Sequence, residues 1–158
     1  MKQNNHLFEG CPVSGMMDSN EKKSQGDETD KKVCELRQWP IQLYLVPPQA
    51  PYYKKTDVLL STDYVVYTVG DFHKDYLKEK ALAIVGPKLD EGRDIYVEKI
   101  KSLIDDVKEN TIIAMIMHVS CCFGLINLVQ GVACEVKRKI FIKSIAVSLQ
   151  RNIIKGWI

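Results

Sequence analysis

Four short apolar runs, separated by segments long enough to form helices, constrain the fold of this chain more than any other feature. The runs are Asp57–Thr62, Lys80–Val85, Thr111–Val119 and Ile140–Leu149. Short apolar runs without polar alternation are typical of parallel strands that are buried on both faces of a sheet. The chain is therefore predicted to form a parallel sheet with helices packed on both sides.

Helical periodicity fills the spaces between these runs. Apolar side chains recur on one side of a helix in residues 93–109 and again in residues 125–136. Residues 64–79 fit either a strand or a helix, and the spacing of their apolar side chains favours a helix. Ile41–Val46 is predicted as a further strand or an extended lead-in, and residues 150–158 as a tail that docks on the domain. The alternation predicts an α/β fold, a three-layer sandwich of Rossmann-like or flavodoxin-like type with a mainly parallel sheet of about four to five strands.

Composition divides the chain near residue 33. Residues 1–33 are rich in Asn, Ser, Lys, Glu and Asp and hold few large apolar groups, so they cannot bury enough surface to offset the entropy of ordering. They are interpreted as a flexible polar N-terminal arm that carries a Cys-Pro loop at Cys11 and Pro12. Residues 34–158 are predicted to form a single α/β domain.

Charge and hydropathy exclude several classes of partner. The chain has 158 residues, and 22 Lys and Arg against 20 Asp and Glu leave a formal net charge of +2. So small and evenly mixed a charge argues against a nucleic acid or an anionic membrane surface as the partner. No run reaches the roughly 18 apolar residues of a membrane-spanning helix, and the N-terminus lacks the apolar core of a signal peptide. A cytoplasmic location is therefore expected, and without a glycine-rich phosphate loop no nucleotide cofactor is expected.

Two adjacent thiols mark the candidate site. Cys121 and Cys122 lie where the third apolar run passes into a helix, and ligands of open α/β sheets collect where strands end and the following helices begin. A thiol at a helix N-terminus is expected to have a lowered pKa, and the thiolate is the form that attacks electrophiles or binds metal. Adjacent side chains of a strand point in different directions, so both sulfurs can hold one metal only if the backbone turns there.

Several other residues have side chains that can bind metal or take part in catalysis, and two of them allow two interpretations. Cys11 is either a ligand that reaches over from the arm or a loop residue. His73 is either a solvated residue at a surface turn or a ligand or acid–base group. His118 is expected in the third strand as a core or interface histidine. Cys34 and Cys134 are expected to be buried packing residues.

Several separated motifs resemble landmarks of an iron–sulfur protein family from anaerobes. The motifs are Leu36–Leu43 with Val46–Pro47, Gly70–His73, Gly86–Asp90 and Ser120–Gly124. Members of that family carry an N-terminal ferredoxin-like module with two 4Fe–4S cysteine motifs, a Cys-Pro-Gly-Ser linker and then an α/β domain. The resemblance covers Cys11 and nearly all of residues 34–158. It implies an iron–sulfur cluster or a single metal ion, with a redox protein as partner. The implied ligands are Cys121, Cys122, Cys11 and His73.

The chain also departs from the family pattern. No ferredoxin-like module precedes the domain, Tyr64 and Gly86 stand where the family has cysteines, and the linker motif has Val13 in place of glycine. A cluster normally takes four thiolates, with histidine replacing two of them in some centres. The chain is therefore interpreted as a degenerate or truncated relative.

Three functions stay open on the sequence alone. The first is an iron–sulfur or metal-binding accessory protein of anaerobic redox metabolism, which the retained thiol pair favours. The second is a thiol-dependent enzyme that uses Cys121 or Cys122 as nucleophile or redox group. The third is a non-catalytic interaction or scaffold domain that has lost its cluster, which the missing ferredoxin-like module favours.

Overall fold

The described part of the chain is an alternation of strands and helices. The computed structural model describes residues 17–18, 32–86, 91–107 and 111–157. The strands are β1 (Met17–Asp18), β2 (Gln38–Trp39), β3 (Asp57–Thr62), β4 (Lys80–Val85), β5 (Thr111–Met117), β6 (Phe141–Val147) and β7 (Ile153–Trp157). The α-helices are α1 (Asp63–Thr68), α2 (Arg93–Ser102) and α3 (Phe123–Glu135). A 3₁₀ turn spans Pro51–Tyr53, and π-helical turns span His73–Leu77 and Leu103–Val107.

The central sheet has the strand order β4-β3-β5-β6-β7. β3 pairs in parallel with both β4 and β5, β5 pairs in parallel with β6, and β7 pairs with β6 in the antiparallel direction. Residues from Val58 to Thr62 of β3 are all buried, as the two-sided cover of a parallel sheet requires. This mostly parallel five-stranded sheet with helices at its sides confirms the predicted α/β fold class.

The helices lie on opposite faces of the sheet because the chain leaves β3 in one direction and β5 in the other. α1 leads from β3 to β4, whereas α2 and α3 lead towards β5 and β6. Right-handed crossovers therefore put α1 on one face and the other two helices on the opposite face. There α2 packs against α3, and Ile100 and Val129 of these helices are fully buried.

The outer edge of β4 is closed by contacts from the segment that precedes the sheet. Ile84 N–H donates to Ile41 O at 2.7 Å, and Leu43 N–H donates to Ile84 O at 2.9 Å. At Leu82, two residues before Ile84 in β4, the side-chain amide of Gln38 takes the place of a backbone peptide group as hydrogen-bond partner. Leu82 N–H donates to Gln38 Oε1 at 2.9 Å, and Gln38 Nε2 donates to Leu82 O at 2.8 Å. The outward-facing peptide groups of both β4 residues are thus satisfied.

A buried tyrosine completes this edge network. Tyr53 Oη donates to Leu82 O at 3.2 Å, and Gln38 Nε2 lies 3.4 Å from the same hydroxyl. Tyr53 is fully buried. Burial raises the pKa of Tyr53, and the hydrogen bond from Gln38 offsets only part of that increase.

A cation on α2 holds the turn that follows the edge segment. Lys99 Nζ donates to Leu43 O at 2.9 Å, to Val46 O at 2.8 Å and to Tyr44 O. Partial burial lowers the pKa of Lys99, and the three carbonyl oxygens replace the water that the ammonium group gives up. The contact therefore ties the turn to the helix layer.

Three local predictions differ from the structure. Residues 41–46 form a turn with one β-bridge at Gln42, since Leu45 N–H and Val46 N–H both donate to Gln42 O. The single helix predicted over 64–79 is divided into α1 and a π-helical turn. The docking tail forms the antiparallel strand β7.

The predicted arm falls largely outside the described residues. Of residues 1–33, the structure describes Met17–Asp18, which pairs with Gln38–Trp39 in a short antiparallel ladder, and the last two residues before Cys34. Cys11 lies outside the described residues. Within the ranges that are described, no helix combines the length and apolar character needed to cross a membrane.

Replacing Gln38 with leucine is expected to destabilise the fold by about 2 kcal/mol, because the buried Leu82 N–H loses its acceptor. Urea unfolding followed by circular dichroism measures the change. Gln130→Leu is the matched control, since Gln130 is exposed on α3, and it should alter the free energy of unfolding by less than about 0.5 kcal/mol. Equal effects of the two substitutions would show that the Gln38 amide does not stabilise the β4 edge.

Stability is expected to fall as pH rises above the ordinary titration range of tyrosine. The folded state holds the Tyr53 proton to a higher pH than the unfolded chain does, so this group stabilises the fold fully below about pH 10 and progressively less above it. The slope amounts to at most about 1.4 kcal/mol per pH unit. Urea unfolding between about pH 9 and pH 11 measures it.

Tyr53→Phe should reduce this alkaline slope, to which Tyr76 also contributes because burial raises its pKa, whereas Tyr67→Phe should keep it because Tyr67 is 90% exposed. A wild-type protein and a Tyr53→Phe variant whose stabilities run parallel over that interval would contradict the assignment.

Candidate functional site

The carboxyl ends of β3 and β5 form the switch point of the sheet, since the chain leaves these neighbouring strands in opposite directions. In open α/β sheets the divergence of such connections is where ligands bind. Here β3 ends at Thr62 and continues directly into α1, while β5 ends at Met117 and reaches α3 through residues 118–122. The candidate site consists of these two strand ends.

The backbone turns sharply between β5 and α3. Val119 N–H donates to Met117 O at 2.8 Å, and Cys122 N–H donates to Val119 O at 3.0 Å. The turn places Cys121 Sγ and Cys122 Sγ 3.9 Å apart. Cys122 is the N-cap residue of α3 and is 3% exposed, whereas Cys121 is half-buried. The structure thus contains the turn that shared metal binding requires, with one sulfur inside the core and the other at its boundary.

Burial determines the acidity of the inner thiol. It raises the pKa of Cys122, and the nearby Cys121 thiol raises it further, while the Thr62 hydroxyl and the Met117 backbone lower it. The sequence predicted a lowered pKa from the helix N-terminus, and for Cys122 that prediction is wrong. The loss of water around the buried thiolate is the largest effect on the pKa of Cys122.

Thr62 is a site residue that sequence analysis missed. It is fully buried, and within the described ranges Thr62 Oγ1 makes no hydrogen bond of ordinary geometry. Its hydroxyl nevertheless lies close enough to the Cys122 sulfur to lower the pKa of that thiol. The available signal was a polar residue at the end of an otherwise apolar strand, where an unpaired hydroxyl costs free energy unless something binds it.

His118 does not lie in a strand or in the core, contrary to the prediction. It is exposed, one residue beyond β5, and its ring packs edge-on against Phe123 with 5.3 Å between ring centroids. Among the hydrogen bonds of the described residues, none joins an imidazole to Cys121 or Cys122. A base that would activate either thiol is therefore not in place in this part of the chain.

His73 lies apart from the thiols, beside a cavity on the α1 face. Its Nδ1 accepts a hydrogen bond from Glu35 N–H at 3.2 Å. The structure brings no three His, Cys, Asp or Glu residues into a metal-binding group within the described ranges. Of the four predicted ligands, the structure therefore brings Cys121 and Cys122 together within the described ranges. Cys11 falls outside these ranges.

Cys34 and Cys134 are exposed, so the prediction that both are packing residues is wrong. Cys34 lies in an extended segment before β2. Cys134 lies in the last turn of α3, whose buried side is formed by residues such as Val129 and Val132, and helical periodicity turns position 134 away from that side.

The separation of the two sulfurs matches that of two thiolates on one metal ion, and it is also that of a weak hydrogen bond between two thiols. Two sulfurs bound at about 2.3 Å to a tetrahedral metal lie about 3.8 Å apart, and the observed separation is 3.9 Å. A 4Fe–4S cluster takes four thiolates, whereas the described strand ends supply two. Tyr64 and Gly86 occupy the positions where the resembled family has the others.

Comparisons with known proteins agree with this architecture. A curated protein of Archaeoglobus fulgidus, described only as uncharacterized, is 29% identical over 96 residues, which cover 61% of this chain and 66%, just under two thirds, of the relative. No solved structure gives a significant match. The model of a Rossmann-like domain family matches residues 50–157, a span that contains β3 to β7 and the thiol pair. Since this match covers most of the chain, the protein belongs to that family of Rossmann-like domains.

Proposed function

We propose that this chain is a metal-binding accessory protein that holds a thiophilic metal ion through Cys121 and Cys122. The observation that carries the proposal is the 3.9 Å separation of the two sulfurs at the carboxyl end of β5. That separation is close to the spacing of two thiolates on one tetrahedral ion. Its position at the switch point supports ligand binding of some kind.

Metal binding would have to provide charge compensation at Cys122. A buried Cys122 thiolate is unfavourable in the free protein, as its raised pKa indicates. A bound cation would supply the missing counter-charge and displace the proton. The unpaired hydroxyl of Thr62 would then donate a hydrogen bond to the ligating sulfur, as neighbouring donors commonly do at metal centres.

A tetrahedral metal ion needs further ligands in addition to the two thiolates. We assign Cys11 as the third ligand, from the segment outside the described residues. His73 is the weaker choice, because its Nδ1 already accepts the Glu35 N–H. An iron–sulfur cluster with a redox protein as partner, which the resemblance implies, would need two further ligands from outside the described strand ends.

A scaffold domain without metal is the second candidate function. The substitutions at Tyr64 and Gly86 favour it, since they remove two ligands of the resembled family. A thiol-dependent enzyme has less support. Its nucleophile would need a depressed pKa and a neighbouring base, whereas burial raises the pKa of Cys122.

Titration of the reduced full-length chain with Cd²⁺ under oxygen-free conditions tests the proposal. Cadmium is a soft ion, and binding to thiolates produces ultraviolet sulfur-to-metal charge-transfer absorption. The wild-type chain should show this absorption in saturable form. Cys121→Ser and Cys122→Ser should each weaken binding by about tenfold or more, in the range observed for impaired metal sites. Cys134→Ser should bind as the wild type does, because Cys134 is exposed on the far turn of α3.

The same samples separate the alternatives. Absorption that persists in the double variant Cys121→Ser, Cys122→Ser would contradict the assignment of the pair. A wild-type chain without the absorption, with a melting temperature that neither Cd²⁺ nor the double substitution changes, would support the scaffold function. Stoichiometric iron and sulfide in protein purified without oxygen would identify an iron–sulfur cluster instead of a single ion.

A further inference from the structure

A cavity of about 260 Å³ lies on the α1 face of the sheet. Its apolar lining includes Leu82 and Ile84 of β4, Val66 of α1, and Leu77. None of the described cysteines lines it. Pockets for drug-sized ligands have volumes of about 300–1,000 Å³, so this cavity suits a smaller molecule, such as a single ring with a short side chain.

One polar group at the cavity is a hydrogen-bond donor. Glu35 N–H donates to His73 Nδ1, so the neutral ring carries its proton on Nε2. His73 lines the cavity and is half-buried. Within the described ranges, that Nε2–H has no hydrogen-bond partner.

A second polar group at the cavity is the carboxylate of Asp63, which has no counter-charge among the described residues. Asp63 lines the cavity at the start of α1 and is half-buried. Its Oδ1 accepts the N–H of its neighbour Tyr64 at 3.1 Å, and it forms no ion pair with the cations that the structure describes. Lys32, which approaches the neighbouring turn, is paired with Asp71.

The charge at the cavity is therefore negative. Among the described residues of its lining, Asp63 is the one carboxylate, and Gln42, Tyr67 and His73 complete the polar part of the wall. A carboxylate partly removed from water attracts a cation more strongly than an exposed one does. The apolar residues of β4 and α1 that line the cavity favour a ligand whose remaining part is uncharged and apolar.

We propose that this cavity binds a small organic amine with an apolar body, whose ammonium group pairs with the Asp63 carboxylate. The apolar body lies against Leu82, Ile84 and Val66, where its burial provides the hydrophobic part of the affinity. His73 Nε2–H is available to an acceptor atom on the ligand. The proposal does not rest on metal binding at the thiol pair, because neither Cys121 nor Cys122 is among the described residues that line the cavity.

Isothermal titration of the full-length chain at about pH 8, where an ordinary imidazole is neutral, tests the proposal with phenethylamine as the probe. Phenylacetate is the matched probe of similar shape and opposite charge. Saturable binding of phenethylamine is expected, with phenylacetate at least about tenfold weaker. Asp63→Asn should weaken phenethylamine binding by about tenfold, since it removes the charge but keeps an oxygen for the Tyr64 N–H.

Asp75→Asn is the matched control, because Asp75 is exposed on the adjoining turn and does not line the cavity. It should bind phenethylamine as the wild type does. Thermal melts of both variants establish that each is folded. Val66→Phe should also weaken binding by filling the cavity. The proposal is overturned by no saturable binding of phenethylamine, by equal or tighter binding of phenylacetate, or by unchanged binding in folded Asp63→Asn.

Discussion

The parallel pairing of β3 with β4 on one side and β5 on the other is the constraint on which the rest of the structure depends. A strand in this position is covered on both faces, so it must be apolar throughout. Its two neighbours are reached by connections that leave in opposite directions. That divergence brings Thr62 and the Cys121–Cys122 turn together at the edge where ligands of open α/β sheets generally bind.

Burial and hydrogen bonding have opposite effects on the pKa of buried side chains, and burial has the larger effect at two of them. At Cys122, loss of solvent outweighs the hydrogen bond from Thr62, so the pKa of the inner thiol is raised. At Tyr53, loss of solvent outweighs the Gln38 hydrogen bond in the same way. The half-buried Asp63 instead keeps contact with water, which allows a carboxylate without a described counter-ion.

Much of the fold was predictable because β3, β4 and β5 are nearly continuous apolar runs, and such runs specify buried parallel strands. The position of the thiol pair at the end of β5 followed from the same pattern. The divided helix over 64–79 and the exposure of Cys34 and Cys134 were not predictable in this way. They depend on which side of an element meets the sheet and on contacts from distant segments, which local periodicity does not describe.

The sequence by itself determined the order of strands and helices, the parallel sheet and the chemical groups at its carboxyl edge, because apolar periodicity acts over neighbouring residues. Only the tertiary structure decided that Gln38 closes the edge of β4, that Thr62 faces the inner thiol, and that His73 lies in a cavity and not in a group with the two cysteines. Those relations join residues far apart in the chain. Their energies depend on desolvation, which exists only once the layers have packed.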